Sequence, residues 1–78
     1  MFGKRLRDMR NKRNLTQQKM ADLLNIALRS YQCYEGGDRS PSYSLLVQIA
    51  DILDVSIDWL LGRDEFLKSH GVSVDEYL

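Results

Sequence analysis

Residues 15–26 read LTQQKMADLLNI, and this stretch decides how the chain folds. Thr16 is of the residue type that caps helix N-termini, and apolar side chains then recur at helical spacing as far as Leu24. Asn25 follows directly, and asparagine accepts the left-handed backbone conformation that turns a chain sharply after a helix. Because residues 25–27 alone separate this helix from the next helical pattern, the sequence predicts two helices joined by a tight turn.

The rest of the chain predicts three further helices around this pair. Amphipathic patterns and capping residues place the five helices at 2–13, 17–24, 28–35, 43–53 and 57–61. The hydroxyl groups of Ser42 and Ser56 are suited to cap the last two helices, and Gly36 and Gly37 end the third. The expected fold class is therefore all-α, with a compact five-helix domain over residues 1–62.

An acidic extension, residues 63–78, follows this domain. Asp64 and Ser73 can each cap one or two helical turns there. Segments this short are helical only when they pack against something else, so the extension is expected to form short turns at most.

Composition narrows the class of protein. A chain of 78 residues makes one domain. Cys33 is the single cysteine and cannot form an intramolecular disulfide, so a cytoplasmic location is expected. No stretch reaches the roughly 18 apolar residues of a membrane span, and the charged residues 1–7 do not resemble an export signal. With one histidine, His70, and no metal-ligand spacing, we expect no enzyme activity, metal or cofactor.

Charge is segregated along the chain although the formal net charge is zero. Residues 1–40 hold nine Lys or Arg against four Asp or Glu, whereas residues 41–78 hold two against seven. Such a chain would turn its basic half toward a polyanion and keep its acidic half away. The alternative is that both halves are simply solvated surface.

Four spaced elements of the sequence carry a family resemblance. They are LTQQKMADLLNI at 15–26, YQCYEGG at 31–37, RSPS at 39–42 and VSIDWLLG at 55–62. In order and distance they resemble the Cro/C1-type (Xre) helix-turn-helix family of phage repressors and bacterial regulators, over residues 1 to about 62. The resemblance implies a lambda-repressor-like domain that binds double-stranded DNA sequence-specifically, as a small transcriptional regulator and most simply as a repressor of phage, prophage or bacterial origin.

Three positions depart from the family pattern. Asn25 stands where the family usually has glycine, Ala27 where it often has a Ser or Thr cap, and Asp38 where a basic residue is common. Ala27 leaves the third helix without a side-chain cap. Asp38 would repel a phosphate, so no phosphate contact is assigned to it.

The third helix, residues 28–35, is expected to lie in the major groove. Helical spacing puts Tyr31 and Tyr34 on its core side, and the opposite face carries the expected base-reading residues, which are Ala27, Leu28, Arg29, Gln32 and Cys33. Arg29 can bond guanine O6 and N7, and Gln32 can bond adenine N6 and N7. The alternative is that these are ordinary solvent-facing residues of a helix.

Phosphate contacts are expected around the start of the second helix. The residues assigned to them are Gln17, Gln18, Lys19 and Arg39. A helix N-terminus offers backbone N–H donors and positive potential to an anion, and such contacts position a protein without specifying sequence. By resemblance, Gln17 also braces the third helix, and Arg10 and Glu35 match a family ion pair that links the first helix to the end of the third.

A single reading helix contacts too few bases to select a site, so a homodimer on a pseudo-palindromic operator is expected. By resemblance, the dimer surface comprises Val55, Ile57, Asp58 and Trp59; the alternative for Trp59 is a core position under the first helix. A different hypothesis makes the chain a protein-interaction module, such as an antitoxin or anti-repressor-type partner. Its apolar contacts would come from the extension, through Val72, Val74, Tyr77 and Leu78.

Overall fold

The structure, a computed structural model, describes residues 1–72, and all regular secondary structure in that part is helical. The helices are α1 (Phe2–Lys12), α2 (Gln17–Leu24), α3 (Leu28–Gly36), α4 (Tyr43–Leu53), α5 (Ile57–Leu60) and α6 (Asp64–Ser69). The five predicted helices are confirmed, each with ends within one residue of the expected ones, and so is the all-α fold class. None of the described helices is long and apolar enough to cross a membrane.

The predicted capping residues define where three of the helices begin. The hydroxyls of Thr16, Ser42 and Ser56 each accept a hydrogen bond from the backbone N–H three residues further on, at 3.0, 3.2 and 3.3 Å. Each bond satisfies one of the backbone donors that a helix N-terminus leaves unpaired. Ala27 precedes α3 and provides no side-chain cap, as its methyl group requires.

A left-handed residue ends α2 and makes the turn into α3. Asn25 has φ 56° and ψ 45°, and the backbone N–H of Ile26 returns to the carbonyl of Ala21 at 3.0 Å. The chain therefore turns sharply within residues 25–27, and α2 and α3 pack against each other in the predicted helix-turn-helix arrangement.

One core lies between the helices. Its buried side chains are Leu6, Met9, Met20, Ala21, Leu24, Tyr31, Tyr34, Ile49, Ala50, Leu53, Trp59, Leu60 and Leu67. The largest of them, Trp59, is 0 % exposed. Arg5 of α1 covers its ring, with Cζ 4.8 Å from a ring centroid, and donates from Nη1 to the Trp59 carbonyl at 2.6 Å. The assignment of Trp59 to a dimer surface is therefore wrong, because the indole is enclosed beneath α1, which was the alternative.

The first part of the extension packs on the five-helix domain. Asp64 is the first residue of α6 rather than its cap, and its carboxylate accepts two hydrogen bonds from Arg5, both at 2.8 Å. Leu67 of α6 is buried in the common core. The second short turn expected from Ser73, and the apolar contacts expected from Val74, Tyr77 and Leu78, lie outside the described residues.

Gly3 allows α1 to approach the end of α3 closely. A Cβ built on Gly3 would overlap the backbone carbonyl of Glu35. This contact places the N-terminal turn of α1 against the last turn of α3, and so fixes the position of α3 relative to α1.

Candidate nucleic-acid interface

Helix α3 has one buried and one open face. Tyr31 and Tyr34 are 0 % and 5 % exposed, and they hold the inner face against the core. Arg29 and Gln32 are exposed on the outer face. Of the other residues expected to read bases, Ala27 is exposed, while Leu28 and Cys33 are half-buried. The side of α3 away from its tyrosines is thus accessible to a groove of nucleic acid.

A chain of hydrogen bonds runs from α1 to this open face. Arg10 donates from Nε to Glu35 Oε2 at 2.6 Å and from Nη2 to Glu35 Oε1 at 3.3 Å. Gln17 donates from Nε2 to Glu35 Oε1 at 3.1 Å, and Gln32 donates from Nε2 to Gln17 Oε1 at 3.2 Å. Four side chains therefore connect α1, α2 and α3, and the last of them belongs to the expected base-reading set.

The inner end of this chain is a buried ion pair. The side chains of Arg10 and Glu35 are 10 % and 4 % exposed. Burial acts to raise the pKa of Glu35, but the Arg10 guanidinium, with smaller contributions from Tyr31 and Gln17, outweighs it and leaves that pKa below its ordinary value. Arg10 also donates a hydrogen bond to the carbonyl of Leu15 at 2.8 Å. Its guanidinium is therefore bonded within the fold, and we assign it no contact with phosphate.

The residues expected to contact phosphate surround the start of α2 and follow α3. Gln18 and Lys19 are exposed in the first turn of α2, and Gln17 beside them is half-buried in the hydrogen-bond chain. Gln18 donates to the carboxylate of Asp22 at 2.8 Å within the same helix. Arg39 is exposed in the loop after α3. Each of the four therefore has a side chain that reaches the surface at least in part.

Two basic residues, one in α1 and one directly after it, have structural partners that the sequence did not reveal. Arg13 donates from Nε to the carbonyl of Leu53 at 2.9 Å, at the end of α4, where carbonyls lack helical partners. Arg5 is bonded to Asp64 of α6. Both contacts join residues distant in sequence, so no local pattern could have indicated them. A signal did exist at Gly3, because a glycine inside an amphipathic helix suggests a close approach.

The surface considered for dimerisation is only partly open. Val55, Ile57 and Asp58 are half-buried, and Asp58 accepts a hydrogen bond from Arg63 at 2.9 Å. An apolar groove of about 240 Å³ is lined by Phe2, Ser40, Pro41, Tyr43, Leu46 and Leu61. Tyr43 is 90 % exposed there. This groove was not anticipated from the sequence, because its lining comes from α1, α4 and two loops.

Comparison with known proteins identifies the family of the chain. The family model described as Helix-turn-helix matches residues 6–60. The chain is 49 % identical over 61 residues to the uncharacterized HTH-type transcriptional regulator YqaE of Bacillus subtilis, covering 78 % of this chain and 53 % of that protein. It is 46 % identical over 61 residues to the HTH-type transcriptional regulator AnsR of Bacillus subtilis, with the same coverage.

A third relative comes from a phage. The chain is 49 % identical over 59 residues to the cryptic phage CTXphi transcriptional repressor RstR of Vibrio cholerae, covering 76 % of this chain and 53 % of that protein. The chain thus spans about half the length of these relatives. No solved structure matches the chain significantly. The relatives are named as regulators and not as enzymes, in line with the expectation from sequence. The chain belongs to the helix-turn-helix family of the Cro/C1 (Xre) type.

Proposed function

We propose that this chain binds double-stranded DNA sequence-specifically as a transcriptional repressor, with α3 in the major groove. The observation that carries the proposal is the exposure of Arg29 and Gln32 on a helix whose opposite face is fixed by two buried tyrosines. A rigid helix with an open polar face has the dimensions that the major groove admits. The similarity to a phage repressor supports repression as the outcome.

The open face of α3 offers complementary groups to base edges. Arg29 can donate two hydrogen bonds to O6 and N7 of guanine, and Gln32 can accept from N6 and donate to N7 of adenine. Ala27, Leu28 and Cys33 would supply small apolar contacts, which suit the methyl group of thymine. These contacts would determine which DNA sequence the chain binds.

Contacts to phosphate would position the protein on the duplex. Gln17, Gln18 and Lys19 lie in the first turn of α2, where the helix dipole and backbone N–H groups favour an anion. Arg39 would add a charge from the loop after α3. The acidic half of the chain would face away from the DNA, since its charge is repelled by the phosphates.

Two copies are expected on a pseudo-palindromic operator in the bacterial cytoplasm. A symmetric dimer uses the same surface of both copies. Val55, Ile57 and Asp58 keep part of their surface for such a contact, and Tyr43 and Leu61, which are 90 % and 50 % exposed, offer more apolar area. Burying that area is the main favourable contribution to association.

Selection of binding sites from random duplex DNA tests the proposal. The purified chain is incubated with the library, and bound duplexes are amplified and sequenced over several rounds. We expect enrichment of one motif with two-fold symmetry. Recovery of sequences no different from the starting library would contradict sequence-specific binding.

A further inference from the structure

We propose that Asp38 is a further base-reading residue, whose carboxylate accepts a hydrogen bond from cytosine beside the C-terminal turn of α3. This inference rests on the proposed function, since it adds a contact to the same open face of α3. The position is one of the three at which the chain departs from the family pattern, and it carries a negative charge where a basic residue is common. The role is therefore particular to this chain.

The open face of α3 ends on a residue without a side chain. Opposite the buried tyrosines, helical spacing places Arg29, Gln32, Cys33 and Gly36, which lie three, four and seven positions after the first of them. In other helices that lie in the major groove, residues at this spacing reach base edges. Gly36 is exposed, and its lack of a side chain leaves the fourth of these positions open.

The carboxylate of Asp38 lies beside this open position. Gly37 ends α3 with φ 84°, and the backbone N–H of Asp38 returns to the carbonyl of Cys33 at 3.1 Å. This turn folds the chain back against the end of the helix. A Cβ built on Gly36 would lie 3.6 Å from Asp38 Oδ2, which is an ordinary contact distance. A hydrogen-bond acceptor therefore extends the face that carries Arg29.

This carboxylate is available to a ligand, and it is unfavourable beside DNA unless a base bonds it. Asp38 is exposed, and among residues 1–72 no cation forms an ion pair with it. Its charge is repelled by the phosphates of any duplex, whatever the sequence. A hydrogen bond from a base offsets part of that repulsion, but only at sequences that supply the donor. Asp38 therefore lowers affinity for most sequences and distinguishes those that bond it.

Cytosine is the base that matches a carboxylate. A carboxylate accepts hydrogen bonds and cannot donate them. In the major groove guanine presents two acceptors, thymine presents an acceptor and a methyl group, and adenine presents its N6 donor together with the acceptor N7. Cytosine presents the N4 donor and no acceptor of its own. The carboxylate of Asp38 thus selects cytosine.

Binding-site selection followed by affinity measurements tests this role. The unmodified chain and Asp38→Ala each select from random duplex DNA, and affinities are then measured for duplexes with C·G or another pair at the position that changes. We expect Asp38→Ala to reduce the preference for cytosine by about fivefold or more, the lower end of what a specific base contact provides. Duplexes without that cytosine should bind Asp38→Ala more tightly than the unmodified chain, because the repulsion is removed. Asp38→Asn, which loses the charge but keeps the shape, should change both quantities in the same direction.

Two controls separate base reading from a general effect of charge. Asp51→Ala removes an exposed carboxylate of α4, outside the open face of α3, and should leave the ratio of the two affinities unchanged. Arg39→Ala removes the neighbouring positive charge and should weaken both duplexes alike. Thermal unfolding confirms that each variant is folded.

The outcomes distinguish this inference from the proposed function. If the unmodified chain selects no motif, both fail. If it selects a motif and Asp38→Ala tightens binding to all duplexes equally, Asp38 only repels phosphate, and the base-reading role is overturned while sequence-specific binding stands. A preference that changes for a base other than cytosine also overturns it.

Discussion

The guanidinium of Arg10 and the carboxylate of Glu35 form an ion pair at 2.6 Å that is almost closed to solvent, with side chains 10 % and 4 % exposed. The pair lies between α1 and the last turn of α3, and it continues through Gln17 to the open face of α3. The helix proposed to read DNA is therefore fixed to the rest of the fold by a charged contact as well as by apolar packing.

Loss of one partner of this pair should be costly. Arg10→Met leaves the Glu35 carboxylate buried without its cation, so we expect the free energy of unfolding to fall by about 3 kcal/mol. Urea denaturation measures it. Lys4→Met is the matched control, because Lys4 pairs with Asp8 at an exposed site, and its cost should be below about 1 kcal/mol. Equal losses in the two variants would show that burial of the pair contributes nothing.

Acid should weaken the fold through Glu35. Its pKa in the folded chain lies below the ordinary value of 4.5, so its contribution to stability is complete above that value. The contribution is lost as the pH falls through the lowered pKa, because the unfolded chain then binds the proton more readily. Urea denaturation between pH 7 and pH 3 checks this. The stability difference between the unmodified chain and Glu35→Gln should shrink toward pH 3; a constant difference would contradict the assignment.

Gly3 should not tolerate a side chain, although it lies in a helix. Alanine would be favoured over glycine by about 1 kcal/mol from helix propensity. The added Cβ would overlap the backbone carbonyl of Glu35, which cannot move without displacing α3. Overpacking costs about 1–3 kcal/mol and should exceed the gain, so Gly3→Ala should lower the melting temperature.

Gly36 provides the control for that substitution. It is also helical, but a Cβ there would lie 3.6 Å from Asp38 Oδ2, which is an ordinary contact distance. We expect Gly36→Ala to leave the melting temperature unchanged or raise it. A lower melting temperature in Gly36→Ala but not in Gly3→Ala would reverse the interpretation.

Local signals in the sequence account for most of the fold. The hydroxyls of Thr16, Ser42 and Ser56 and the left-handed Asn25 act on neighbouring backbone groups, so sequence position alone locates their helix ends. Trp59 was ambiguous because a tryptophan in a short amphipathic helix can face a partner or the core. In the structure Arg5 of α1 packs over the indole, so Trp59 faces the core.

The site was predicted less completely than the fold. Helical spacing correctly separated the tyrosine face of α3 from the face of Arg29 and Gln32. It could not show that Gln32 bonds Gln17, since that contact depends on the angle between α2 and α3. Nor could it show that Arg5 donates hydrogen bonds to Asp64, because these residues lie near opposite ends of the described chain.

Substitution of Arg29 should change which sequences are bound. Arg29 is exposed on the open face of α3, and Arg29→Ala removes both donors proposed for one guanine. We expect discrimination at one base pair of each half-site to fall by about 1–3 kcal/mol. Arg39→Ala, which removes a proposed phosphate contact, should instead weaken all sequences alike and reduce the salt dependence by about one charge. Site selection and salt titration measure the two effects. The assignment fails if Arg29→Ala keeps the parental motif at every position, or if Arg39→Ala alters the motif.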